Sequence, residues 1–183
     1  MKKKRISLVM ALALVLTCVI GGTLAWLTSK TAEVKNTFTV GDIDIALTET
    51  TTDYKMVPGN TIAKDPKVTV VKESEACWLF VKVDESTNFG DFMTYEIADG
   101  WTQLTVDGVE VEGVYYREVD ATTADTDFAV LKDNQVTVSS EVTKTQLNAL
   151  TTDTYPTLTF TAYAIQKDNN FTTAEAAWAE VSK

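Results

Sequence analysis

Histidine is absent from this 183-residue chain. That removes the commonest zinc ligand and the commonest general base together. Ser-His-Asp and Cys-His nucleophile arrangements are excluded outright. Zinc held by one cysteine and scattered carboxylates would be unusual. Carboxylate-pair glycosidase chemistry is compatible with 26 acidic residues, but no pair of them stands out. Cysteine is nearly absent too, with only Cys18 and Cys77. Cys77 lies within an apolar stretch and reads as a small buried side chain, with an intermolecular bridge as the alternative. The chain also shows no internal repeat, no low-complexity tract and no long linker.

A full-length hydrophobic span is missing as well. The apolar run from Ile6 to Ile20 would make a helix of about 23 Å at about 1.5 Å per residue. The hydrocarbon core of a bilayer is about 30 Å thick. The run is instead flanked as a secretory signal is. Lys2, Lys3, Lys4 and Arg5 precede it, and Gly21-Gly22-Thr23-Leu24-Ala25 follows. The basic head stays inside while the apolar run enters the translocation channel. Small or modest residues at Thr23 and Ala25 place cleavage between Ala25 and Trp26. The competing reading is an uncleaved anchor stretched through Leu27. Cys18 lies too deep in the run, and after Thr17, to suit a lipoprotein signal.

This leader carries four of the 16 basic residues and no acid, so its loss takes the net charge from −10 to about −14. Nucleic acid and anionic membrane surfaces are therefore poor partners. The acids are dispersed, as on a solvated surface. No cofactor or metal ligand set is assigned.

The remainder reads as β-rich. Asn36–Val40 and Ile43–Leu47 alternate apolar and polar residues around a break at Gly41-Asp42. Val57-Pro58-Gly59-Asn60 has the chemistry of a type II turn, with proline presetting one position and glycine supplying the positive φ of the next. Lys67–Glu73 and Cys77–Asp84 are dense in β-branched and aromatic residues. The second is apolar on both faces, which predicts a central strand with a cover over its outer face. Leu104–Val106, Asp107-Gly108 and Val109–Val111 spell a hairpin with a type I′ turn. Gly113–Val119 reads as a further strand. Asp127–Leu131 and Gln135–Val138 read as a second hairpin about Lys132-Asp133-Asn134. Thr157–Ile165 alternates cleanly. Thr143 with Gln146, and Thr172 with Glu175, have capping-box spacing, which predicts two short helices. Asn170-Phe171-Thr172 matches a glycosylation sequon, a three-residue pattern of little weight.

These elements predict an all-β, jelly-roll-like two-sheet sandwich with one or two short helices, preceded by a signal helix. The expected organisation is a signal peptide over residues 1–25 and one sandwich domain over 26–183.

Three stretches resemble the TasA/camelysin family of exported Gram-positive proteins. Gly21–Ala25, running through Trp26 into Asn36–Ile45, is similar to the family's leader and first strand. Val57-Pro58-Gly59-Asn60, with Lys64 beyond it, is similar to its Pro-Gly turn. Phe160–Gln166 is similar to its closing strand. The stretch from Asp84 to Ser140 carries no such likeness.

The resemblance implies processing by a signal peptidase of SipW type and secretion to the extracellular matrix or cell surface. It further implies self-association into biofilm matrix fibres, with an accessory matrix protein as a further partner. Assembly in such proteins is by donor-strand exchange, which would use residues 26–40 here. Trp26, Leu27, Val34 and Phe38 are the implied anchors. The family's metallopeptidase label finds no support in a chain without a His-Glu-x-x-His pair, so no catalytic residue is assigned. Two alternatives differ in class: a secreted adhesin or carbohydrate-binding module using Trp101, Tyr115 or Tyr116, and a secreted metallopeptidase. No sortase-type Leu-Pro motif with a hydrophobic tail is seen, so covalent wall attachment is not expected.

Overall fold

The structure, a computed structural model, describes residues 42–50, 54–168 and 170–183. The expected leader, its cleavage site at Ala25 and Trp26, and the strand at 36–40 lie outside the described residues. Those described fall in one unit, Val40–Lys183.

The fold is all-β, with ten strands in three antiparallel sheets and three short helices among the described residues. The largest sheet centres on β4 (Cys77–Glu85), which lies between β10 (Leu158–Gln166) and β7 (Val109–Val119). Beyond β7 comes β6 (Thr102–Val106). A second sheet has the order β1 (Ile45–Thr48), β3 (Lys67–Val70), β8 (Thr126–Ala129). A third has the order β2 (Thr61–Ala63), β9 (Gln135–Val138), β5 (Met93–Thr94).

Both small sheets share core with the large one, the second through Val68 and Val70 against Leu79 and Val81, the third through Val136 and Val138 near Leu158 and Phe160. The chain passes from β2 into β3 through Lys64–Pro66, and from β8 into β9 through a 3-10 turn at Lys132–Asn134. The stretch Asp127–Val138 is therefore not the hairpin its sequence suggests. β8 pairs with β3, while β9 pairs with β2 and β5. Positive φ at Asp133 and Asn134 turns the chain from one sheet into the next instead of folding it back.

Between the layers, Val68, Val70, Leu79, Val81 and Val130 are fully buried. At one end Phe89, Leu131, Val136 and Val138 form a second cluster, which takes in α1 (Phe89–Phe92). The outer face of the large sheet is also covered. Trp78, Phe80, Leu104 and Val114 meet Ala174 and Ala177 of α3 (Ala174–Val181), and the Trp178 ring lies 5.3 Å from Phe80 and 5.4 Å from Tyr163. This is the cover expected for a strand apolar on both faces. Cys77 is buried at 0% exposure, and its thiol is pushed up to about 11 by burial.

Local turn chemistry is as expected at several points. Gly59 has φ 76°, and Asn60 N donates to Val57 O at 3.0 Å, closing the Pro-Gly turn. Asp107 and Gly108 both have positive φ, as a type I′ hairpin requires, and β6 pairs with β7. The helix α2 (Lys144–Ala149) has the full capping box. Thr143 Oγ1 accepts from Gln146 N at 3.3 Å, and Gln146 Oε1 accepts from Thr143 N at 2.9 Å.

Other details differ. The cap of α3 is Thr173, not Thr172, and accepts from Ala176 N. Glu175 accepts from Asp107 N across the hairpin instead of closing a box. The segments Val109–Val111 and Gly113–Val119 are one strand, kinked where Gly113 takes φ 68°. Both nearby carbonyls, of Val111 and Val114, accept from Gln103 Nε2. β3 ends at Val70 because Val71–Ser74 turns, with Glu73 at φ 68°.

Candidate functional site: a slot between two strand edges

β1 and β10 each end a sheet, so each has one edge without a strand partner among the described residues. A cavity of about 320 Å³ lies where they approach, lined by Leu47, Thr48, Glu49, Pro66, Leu158 and Phe160 among others. β10 explains its apolar floor. Its even-numbered residues Leu158, Phe160, Ala162 and Ala164 point toward the inter-layer core, yet all are only partly buried. Leu47 on β1 is 38% exposed. Two neighbouring free edges over an incompletely covered apolar row form a slot of strand-like character.

One end of the slot is polar and built with care. Lys64 is only 9% exposed. Its Nζ lies 2.7 Å from Glu49 Oε1, and it sits over the rings of Tyr54 at 4.9 Å and Phe160 at 5.3 Å. Tyr54 Oη donates to the same Glu49 oxygen at 2.7 Å. Burial, and then the Glu49 carboxylate, push the Tyr54 phenol well above its usual range. Next in sequence, Asp65 accepts from both Thr50 N and Thr50 Oγ1, bonds that hold its carboxyl below the usual range. The chain leaving β1 is thus tied at Glu49 and Thr50 to the bend between β2 and β3. A buried ion pair of this kind compensates desolvation only through good geometry and added hydrogen bonds, and both are present.

This cluster was missed in the sequence, although a signal existed. Along Ile62, Lys64, Pro66, Val68 and Val70 every second residue faces inward, and Lys64 occupies the buried parity. The residues expected to matter fall elsewhere. Trp26, Leu27, Val34 and Phe38 lie outside the described residues. Pro58 and Gly59 are exposed and join β9 through Gly59 N to Val138 O at 3.1 Å, so the turn anchors β2 against the third sheet. Trp101, Tyr115 and Tyr116 are not the exposed platform a carbohydrate site would need. All three are partly buried; Trp101 Nε1 donates to Ala129 O at 2.8 Å, and Tyr116 packs edge-on against Trp78.

The donor set does not fit a catalytic zinc. The chain has no histidine, and Cys77 is sealed in the core. Among the described residues no three Cys, Asp or Glu side chains converge to hold a metal ion.

The fold defines a β-rich sandwich protein in which β1 and β10 each keep one edge without a strand partner among the described residues. Residues 1–76 match the family model described as camelysin metallo-endopeptidase, and this is the TasA/camelysin family that the leader and first strand resemble. The match runs from the leader through β1, the Pro-Gly turn and β3. Members of the family are exported or surface-associated. No curated protein and no solved structure matches the chain.

Proposed function

We propose that the chain is an exported structural subunit of extracellular biofilm matrix fibres, assembled by donor-strand exchange. The observation that carries this reading is the nine-residue edge of β10, without a strand partner among the described residues, above its half-covered apolar row. The donor is residues 26–40 of a second copy, freed by cleavage between Ala25 and Trp26. An added strand gains main-chain hydrogen bonds along its length and side-chain pockets on alternate residues. Val34, Phe38 and Val40 share one face in an extended chain, as does Trp26. That face suits the row formed by Leu158, Phe160, Ala162 and Ala164. Leu27 falls on the other face.

Charge favours the same pairing. The donor segment carries Lys30 and Lys35 against one acid, Glu33, while the chain as a whole is acidic at −10. Each copy gives a strand at one end and accepts one at another. Such a contact is heterologous, does not close on itself, and grows filaments.

Electron microscopy of the chain starting at Trp26, beside a chain starting at Asn36, tests the proposal. Filaments from the longer chain alone are expected. Filaments of equal abundance from both would remove residues 26–35 from the mechanism.

A further inference from the structure

Outside the slot, Arg117 carries a buried nitrogen that makes no hydrogen bond among the described residues. Arg117 lies on β7 directly opposite Leu79 of β4, on the face turned toward the other layer. Its guanidinium carbon sits 4.0 Å from the centre of the Phe128 ring and 5.3 Å from that of Trp101. Trp101 is held in place by its bond to Ala129 O, and Phe128 belongs to β8. Arg117 Nε is buried and makes no hydrogen bond. No acid among the described residues forms an ion pair with Arg117, which is half-buried, whereas the more deeply buried Lys64 has Glu49. Burial alone lowers the Arg117 pKa. Arginine nonetheless stays protonated in proteins, so a full charge is kept between two rings.

The surroundings are shaped for the guanidinium. Gly100 has φ 87°, and a Cβ there would stand 2.9 Å from an Arg117 terminal nitrogen. Phe128 also lines an open cavity of about 410 Å³ shared with Val119, Asp120 and Thr122. Residue choice points the same way. Arg117 is the sole arginine after Arg5 in a chain that otherwise uses lysine. Arginine differs from lysine in stacking on aromatic faces and in presenting a planar fork that matches a carboxylate in two parallel hydrogen bonds.

We infer that Arg117, flanked by Trp101 and Phe128, is a receptor for a carboxylate. A planar monoanion suits a guanidinium held beside two ring faces. A polyanion such as phosphate is disfavoured by Glu118 and Asp120, which line the adjoining cavity. The carboxylate comes either from a small organic acid or from an acidic side chain of a second copy. The inference does not depend on the donor-strand reading, because the slot lies on β1 and β10 and this site on β7 and β8.

The test is nuclear magnetic resonance of the Arg117 Nε–H signal in labelled protein recovered from its producing cells, with Arg117→Lys to assign it. Titration with sodium acetate is expected to shift the signal saturably, while sodium chloride at equal ionic strength leaves it in place. Saturation by acetate at low protein concentration identifies a small-acid site. A shift that appears on raising protein concentration, without acetate, identifies a carboxylate of a second copy. A signal unmoved by acetate and by protein concentration overturns the inference and leaves Arg117 as a ring-stacked core residue.

Discussion

β4 and β10 are neighbours of equal length, paired in register from Cys77 with Gln166 to Glu85 with Leu158. Their fates differ sharply. β4 is buried at six of its first seven positions, whereas no residue of β10 is fully buried. β4 has strands on both sides, the facing layer beneath it and α3 above. Among the described residues, β10 has a strand on one side only. Among the described residues, strand pairing is thus two-sided for one strand and one-sided for the other, and burial follows suit. Burial of a side chain requires neighbours on all sides, so an edge strand with an apolar inner row is half-stable by construction. β4 carries large residues on both faces; in β10 the inner row shrinks to Ala162 and Ala164 at its far end, and the cavity opens at Leu158 and Phe160.

The largest break in this comparison comes at the β4–β7 pair. A Cβ at Gly113 would lie 2.2 Å from the Val83 carbonyl oxygen, and the residue is at positive φ. Clash and backbone strain act together. Gly113→Ala is expected to cost about 4 kcal/mol or more. Urea unfolding followed by tryptophan fluorescence measures it, and a loss under 1 kcal/mol would mean the kink is not needed.

A matched pair of truncations separates the two strands more directly. Leu79→Ala removes a fully buried side chain from β4 and should cost about 3 kcal/mol in the same assay. Phe160→Ala, half covered on β10, should cost about 1–2 kcal/mol and, on the donor-strand proposal, abolish the filaments looked for by microscopy. Equal stability losses with filaments retained would dissolve the contrast between core strand and proposed receptor edge.

The smallest effect concerns pH. The folded Cys77 thiol titrates near 11, against 9.0 for an ordinary thiol, because burial disfavours the thiolate. Its contribution is complete below pH 9 and is lost as pH rises toward 11, since only the unfolded thiol ionises in that window. Tyr95, raised first by burial and then by its bond to Glu85, adds destabilisation of the same sign. Stability should therefore fall between pH 9 and 11, and less steeply in Cys77→Ala. Parallel curves for the two proteins would show that the thiol is not sealed by β4.

Much of the fold was legible in local chemistry. Pro58-Gly59 and Asp107-Gly108 specify their turns because few residues reach positive φ cheaply. The caps at Thr143 and Thr173 fix two helix starts, the second displaced by one residue because Glu175 was drawn to the hairpin backbone. The density of apolar residues at Cys77–Val83 was enough to place a central strand with a cover. Pairing was another matter. Asp127–Val138 looks like a hairpin by spacing, and only the competing partners β3, β2 and β5 pull its halves into different sheets. Lys64 and Arg117 sit on buried parities, but parity does not name the group each one faces.

The sequence by itself determined the strand and turn vocabulary, the acidic surface, and the exclusion of histidine chemistry, because these follow from single residues and their immediate neighbours. Tertiary structure alone decided that, among the described residues, β1 and β10 keep unpaired edges and Arg117 has no acid partner, and that Glu49 and Tyr54 hold Lys64. Each of these depends on residues far apart in the chain meeting in space, and local propensity carries no record of such meetings.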